Sequence, residues 1–233
     1  MKRGHWQILL AAALFLLALG LTLYPVVSNW YIGRHQSRIQ TEYREVLEQT
    51  DSAEIESIRE SAAAYNKTIT PGAAEEAYSQ ASIRLAAEDY VNQLNVSGSG
   101  IMGYVEIPKI GVDLPIYHGT GADSLDRGTG HLLGSSLPVG GESTHTIITG
   151  HSGMASQKMF TDLEQLREGD IFYLHVLDET LAYEVRAIHT VLPHDTTYLG
   201  IEPGEDLCTL VTCTPTGVNT HRLLVQGSRI PYV

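Results

Sequence analysis

TLVTCTPTGVNTHRLLVQG, running from Thr209 to Gly227, sets the reading of the whole chain. Leu207 to Cys213 alternates and is rich in β-branched residues, and Leu223 to Val225 resumes that character. Between them Pro215, Thr216, Gly217, Val218 and Asn219 form a turn-prone run. The pattern predicts two antiparallel strands. Cys213 closes the first and Arg222 opens the second, so the hairpin brings a thiol and a guanidinium to one end of a sheet. A cation beside a thiol favours the thiolate, the form that attacks carbonyls. On these two residues alone, a buried cysteine beside an arginine that merely caps a strand remains the open alternative.

A third group changes the balance. Upstream, THTIITGHSGM places a short apolar strand, Thr146 to Thr149, before Gly150, His151, Ser152 and Gly153. Glycines on both sides let the backbone turn sharply, so His151 can project into a cleft from a strand end. Cysteine, histidine and arginine at three strand ends are the parts of an acyl-transfer site: nucleophile, proton carrier and carbonyl-polarising cation.

TLVTC resembles the TLxTC signature of the sortases, membrane-bound cysteine transpeptidases of Gram-positive bacteria, and His151 and Arg222 fall in that family's order. The runs GYVEIPKIGVDLPIYHGT, HLLGSSLPVGGESTHTIITGHSG and TLVTCTPTGVNTHRLLVQG are similar to its pilin-polymerising, class C branch, over the chain from about Gly103 to the end. The resemblance implies an eight-stranded sortase β-barrel, mainly β, with N-terminal amphipathic helices and one transmembrane helix. It implies Cys213 as nucleophile, His151 as general acid/base and Arg222 as the cation that binds substrate and stabilises the oxyanion. Thr212 and Thr214, flanking the nucleophile, are substrate-binding candidates. The implied substrate is an LPxTG-like sorting signal cleaved after Thr, the implied acceptor a pilin lysine, and the implied partners pilins on the cell surface; no cofactor is called for.

Two features depart from the branch. Many class C relatives carry a lid with an Asp-Pro-aromatic motif, and no Asp-Pro occurs in this chain, which predicts a more open site. Many also carry a C-terminal transmembrane helix, whereas this sequence ends at Pro231, Tyr232, Val233. Either the subgroup lacks that helix or the sequence is truncated.

The 233 residues suffice for one sizeable domain and an appendage, and 43% hydrophobic content fits a globular chain. A formal net charge of −12 argues against nucleic acid as a partner. Much of the acidic excess lies between Thr41 and Tyr90, with eleven acids against four bases, the composition of a solvated helix face. The two cysteines, Cys208 and Cys213, sit five residues apart on one predicted strand. That puts them about 16 Å apart on opposite faces, too far for a disulfide. Cys208 therefore reads as a small buried apolar residue. A zinc site built from Cys213, His221 and His151 lacks paired CxxC or HxxxH ligands. His118, His131, His145, His189 and His194 read as surface or structural residues. A cysteine hydrolase, a wall-anchoring sortase and a non-catalytic pilus scaffold are the rival functions.

At the N-terminus Lys2 and Arg3 precede a run without charge from Trp6 to Tyr31. Its core, Ile8 to Val27, is as long as a bilayer-spanning helix, and Trp6, Tyr24, Trp30 and Tyr31 flank it as interfacial aromatics. No A-x-A cleavage site follows it, which disfavours a signal peptide. Arg34 and Arg38 beyond it weaken the charge bias for orientation. Ile39, Tyr43, Val46, Leu47, Ile55, Ile58 and Ala62 recur at helical spacing, predicting one or two amphipathic helices packed on the domain. Ala73 to Leu94 is helix-favouring again, and Asn95 to Gly100 is a joint. The organisation is thus a cytoplasmic tail (1–6), an anchor (7–30), a helical region and linker (31–100) and the barrel (101–233), with the barrel outside the cell. Strand-like runs follow from Ile101: MGYVEI, LPIYHG, HTIITG, DIFYLHVL, LAYEVRAIHTVL, LCTLVTC and HRLLVQGSRI. Phe160 to Arg167 is expected to be a short helix, and Val191 to Asp206 to line the substrate groove.

Overall fold

The computed structural model describes residues 2–79, 88–154 and 157–232. Eight strands close into a barrel: β1 (Ile101–Ile107), β2 (Val112–His118), β3 (Thr129–His131), β4 (Thr144–Thr149), β5 (Ile171–Val176), β6 (Glu179–Val191), β7 (Asp206–Thr214) and β8 (His221–Ile230). Their order around the barrel is β1-β2-β3-β4-β7-β8-β6-β5. Closure leaves no free sheet edge to template association. The seven strand-like runs all become strands. β3, only three residues long, carries too little alternation to be seen in the sequence, yet it links β2 in parallel to β4 in antiparallel fashion.

The alternation that predicted the strands fills the barrel. Val105, Ile116, Ile148, Phe172, Leu174, Tyr183, Leu210 and Val225 are buried in one cluster. Phe172 and Tyr183 stack with centroids 5.6 Å apart, and a ring of this size taken out of water stabilises the fold by about 2–3 kcal/mol. Gly227 on β8 is required beside them, because a Cβ there would stand 2.7 Å from the Phe172 ring.

Among the described residues four helices precede the barrel: α1 (Lys2–Gln49), α2 (Ser52–Asn66), α3 (Ala73–Ser79) and α4 (Glu88–Val91). A further turn, α5 (Ala122–Leu125), leads into β3. The expected anchor and the first amphipathic helix form one continuous helix rather than two. Its stretch His5–Tyr24 has a mean hydropathy of 2.2, is long enough to cross a membrane, and buries nothing within the protein. Trp6 and Tyr24 are exposed at its two ends, while the side chains of Trp30, Tyr31 and Arg34 lie outside the described ones.

The predicted apolar stripe does face the barrel. Tyr43, Ile55 and Ala62 are buried, and Ile39, Leu47 and Ile58 pack beside them. Tyr43 also donates its hydroxyl to Met102 O (3.3 Å) and accepts from Leu177 N (3.2 Å), fastening α1 to β1 and to the turn before β6. Asp51 caps α2 by accepting from Ala53 N at 2.8 Å, a contact worth about 1 kcal/mol. At the other end of α2 the Asn66 amide pairs with both polar groups of the Leu137 backbone, at 3.1 and 2.7 Å. Of the predicted Ala73 to Leu94 helix, α3 and α4 are seen and residues 80–87 lie outside the described ones. The helix expected over Phe160 to Arg167 reduces to one 3-10 turn, Leu163–Gln165. Phe160, Leu163 and Leu166 are all buried there, a spacing that a three-residue turn satisfies and an α-helix does not require.

Candidate active site

The β7–β8 hairpin forms as the sequence predicts, and its register pairs Cys213 directly with Arg222 and Thr214 with His221. Directly opposed residues have Cβ atoms about 4.5–5.5 Å apart. Thiol and guanidinium therefore share one end of the barrel. On the other side of β7 lies β4, parallel to it, with Thr149 opposite Val211. The ladder continues past the last strand residue, since Gly150 N donates to Val211 O at 3.0 Å. Two residues on from the Thr149–Val211 pair stand His151 and Cys213, so the parallel register brings both residues to the same end of the barrel.

Side-chain hydrogen bonds hold the His151 loop to the strand. Ser152 Oγ donates to Cys213 O at 2.6 Å, and Thr212 Oγ1 donates to Gly150 O at 2.7 Å. Phe160 N donates to His151 O at 3.0 Å and Gly153 N to Thr161 Oγ1 at 3.0 Å. Gly150 has to be glycine here, because a Cβ would sit 2.6 Å from the Phe160 ring. The His151 side chain is 38% exposed, and its Nε2 lies 3.8 Å from Asp126 Oδ1.

Arg222 is preset by its own turn. Its Nη1 donates to His221 O at 3.0 Å and to Asn219 O at 3.4 Å. The Tyr78 hydroxyl lies beside the same guanidinium. Cys213 is partly exposed, whereas Cys208 is fully buried and both thiols are free. Burial, and then the nearby Asp206 carboxylate, push the Cys208 thiol well up. The two cysteines thus divide as the strand alternation implies, one in the core and one at the site.

Thr214 is partly exposed at the hairpin end, where it can meet a ligand. Thr212 is 3% exposed and its hydroxyl donates to Gly150 O, which ties β7 to the His151 loop. Among the described residues no group of three or more His, Cys, Asp and Glu is arranged to hold a metal ion.

The family model described as Sortase domain matches residues 105–230. The chain belongs to the sortase family. Three solved structures show how far the likeness of this sortase extends. A Streptococcus pneumoniae sortase C, described with its pilin substrate specificity, is 45% identical with a TM-score of 0.76 and covers 84% of this chain and 97% of its own. Sortase C1 of Streptococcus agalactiae is 42% identical with a TM-score of 0.77, over 84% of this chain and 100% of its own. A pilus-related sortase C of Group B Streptococcus is 41% identical with a TM-score of 0.75, over 82% and 97%. These three solved neighbours are sortase C enzymes by name. Among curated relatives, sortase D of Bacillus subtilis is 30% identical over 131 residues, 55% of this chain and 63% of that protein. Sortase A of Streptococcus agalactiae is 28% identical over 130 residues, 54% and 52% respectively. The match spans between half and two thirds of those curated relatives.

Although this sortase has no Asp-Pro, α3 packs against the barrel: Ala74 is buried with Leu132, Ile147, Val191, Leu199, Val211 and Leu224, and Ala77 and Tyr78 pack on that cluster. The Tyr78 hydroxyl is buried without a well-formed hydrogen bond among the described residues. Burial pushes its pKa up, and the adjacent Arg222 charge pulls it back. Tyr78 therefore stands beside both Arg222 and Cys213. The apolar helix face, rather than a sequence motif, brings it there.

The segment between β6 and β7 is pinned rather than free. His145 on β4, itself buried, bonds Gly200 O at 2.7 Å and Thr209 Oγ1 at 2.7 Å, and Tyr198 stacks on His189 at 3.7 Å. Leu192 is exposed next to Val191, which pairs with Arg222. Sequence reasoning missed Ser152, Tyr78 and Asp126. For Ser152 a signal existed, a hydroxyl next to the histidine between two glycines; for the other two, distant in sequence, there was none.

Proposed function

We propose that this sortase is a pilin-polymerising cysteine transpeptidase. The observation that carries the reading is the registered Cys213–Arg222 pair with the His151 loop bonded to the same strand. Cys213 thiolate attacks the Thr carbonyl carbon of an LPxTG-like signal. The carbonyl electron pair moves to oxygen, where Arg222 and backbone N–H groups near Cys213 and Thr214 stabilise the charge. The tetrahedral species collapses to a thioester, the C–N bond to Gly breaks, and imidazolium His151 protonates the leaving amine. A lysine amine then attacks the thioester carbonyl, neutral His151 takes its proton, and the C–S bond breaks to restore the thiolate.

Pilins as substrates are supported by the pilin specificity described for the S. pneumoniae neighbour and the pilus-related Group B Streptococcus one. Membrane attachment is supported by the exposed apolar helix His5–Tyr24. In this arrangement residues 1–6 form the cytoplasmic tail and 7–30 the anchor, with the helical region 31–100 and the barrel 101–233 outside the membrane. A signal lying across β7 and β8 would meet exposed Leu192 and Val218 at the rim of the Cys213–Arg222 pair.

Mass spectrometry of the protein incubated with an LPxTG-type peptide tests this, with and without a lysine-bearing pilin domain. The expected result is a thioester on Cys213 that resolves onto lysine. An adduct that resolves only to water, or onto a glycine-type amine, makes the protein a hydrolase or a wall-anchoring enzyme instead.

A further inference from the structure

Asp126 is an exposed carboxylate at the end of α5, and a surface ion pair at 3.8 Å from His151 is by itself worth little. Its setting is what distinguishes it. Asp126 N donates to Ala122 O at 2.8 Å, closing α5, and Ser124 within that turn donates its hydroxyl to His118 O at 2.8 Å. The Asp126 carbonyl accepts from Gln157 Nε2 at 2.8 Å, and Gln157 is 4% exposed. Three residues further along the same segment, Phe160 N holds the His151 carbonyl at 3.0 Å. One buried-edged segment therefore fixes the backbones of both partners.

We infer that Asp126 is a positioning residue for His151, holding its Nε2 as the protonated nitrogen so that Nδ1 is the one that exchanges protons with the reacting groups. The inference rests on the proposed role of His151 as proton carrier. An imidazole has two nitrogens, and the group that one faces decides the tautomer in which the other works. With a carboxylate facing Nε2, the neutral ring keeps its proton there and offers the Nδ1 lone pair to the attacking lysine. In the imidazolium the Nδ1 proton goes to the leaving amine, and the Nε2 proton stays toward Asp126. The other ionisable groups at the ring come from β7 and β8. A Cys213 thiolate favours the imidazolium, and the Arg222 guanidinium opposes it. Lys158, on the segment that follows His151, is engaged by Asp162 at 2.9 Å and by Ile110 O at 2.6 Å.

The test is NMR of the neutral His151 ring in the full chain in detergent micelles, with labelled histidine and the His151 signals assigned through His151→Gln. In Asp126→Asn the Nε2-protonated fraction of the neutral ring should fall, and Asp126→Glu should restore it. In aminolysis assays Asp126→Asn should lower kcat several-fold, with KM little changed. An identical neutral-ring tautomer of His151 in wild type and Asp126→Asn overturns the inference. The NMR readout needs no turnover, so its failure is separate from that of the proposed function, which falls if His151→Gln transfers normally.

Discussion

Cys213 and Arg222 oppose each other as a registered antiparallel pair at the turn end of the β7–β8 hairpin. The guanidinium is held by backbone carbonyls rather than by a carboxylate, so its charge remains available to a developing oxyanion. A charge-assisted contact of this kind contributes about 3 kcal/mol to the transition state, and Arg222→Ala should lower kcat/KM by roughly a hundredfold. Arg222→Lys should recover only part of it, because a point charge cannot reproduce the fork. Steady-state aminolysis of a sorting-signal peptide measures both. Normal turnover by Arg222→Ala removes the assigned role.

Thr212 separates substrate binding from loop positioning. Its hydroxyl is buried and donates to Gly150 O, so Thr212→Val leaves that carbonyl short of a donor at nearly constant side-chain volume. The expected cost is about 1–2 kcal/mol in urea unfolding. As the His151 loop loosens, kcat should fall several-fold while KM for the peptide stays put. A rise in KM alone, with stability unchanged, would return Thr212 to the substrate groove.

These two residues mark the limit of what the sequence discloses. The placement of Cys213, His151 and Arg222 at one end of the barrel was legible because each sits at a strand end flagged by turn residues, and a hairpin plus a parallel crossover makes strand ends converge. The seven longer strands were legible through alternation. β3 was not, since Thr129, Gly130 and His131 are too few to show a period, and their pairing is imposed by β2 and β4. Tyr78 and Asp126 escaped for a different reason. Each reaches the site through packing of a short helix on the closed barrel, a long-range outcome that leaves no trace in local spacing. Thr212 was singled out because its neighbour is Cys213, and the strand period turns the two side chains to opposite faces.

Tyr78 should govern access to the nucleophile. It lies beside Arg222 and Cys213 with its ring packed on the cluster that holds α3. Removing it in Tyr78→Ala opens the approach to Cys213 while most of the cluster, including Ala74 and Leu199, remains. The rate of Cys213 alkylation by a small thiol probe should rise several-fold over wild type. Tyr78→Phe keeps the ring and should stay near the wild-type rate. Equal rates in all three proteins would mean that α3 does not cover the thiol. The buried Cys208 thiol should remain unreactive in each of them.

His131 links the helical region to the barrel and makes stability depend on pH. It is fully buried; its Nε2 meets Ser136 O at 2.8 Å and its Nδ1 meets the Tyr90 hydroxyl at 2.9 Å, with Tyr90 on α4. The neutral ring with its proton on Nε2 satisfies both contacts. A second proton would bury a charge, so desolvation first, with His118 adding to it, lowers the His131 pKa from 6.5 to about 4. The unfolded chain therefore binds a proton that the folded chain refuses between those values. Stability is full above about pH 6.5 and declines as pH falls toward 4. The loss from this group is about 2 kcal/mol between pH 7.5 and pH 5. Burial lowers the His145 pKa as well, and it acts in the same sense. Urea unfolding of the full chain in detergent at the two pH values checks this, with His131→Gln as the control. The variant starts from a lower stability, and its decline with acid should be shallower than wild type by about the same 2 kcal/mol. Parallel pH dependence in the two proteins would show that His131 accepts its proton in the folded state.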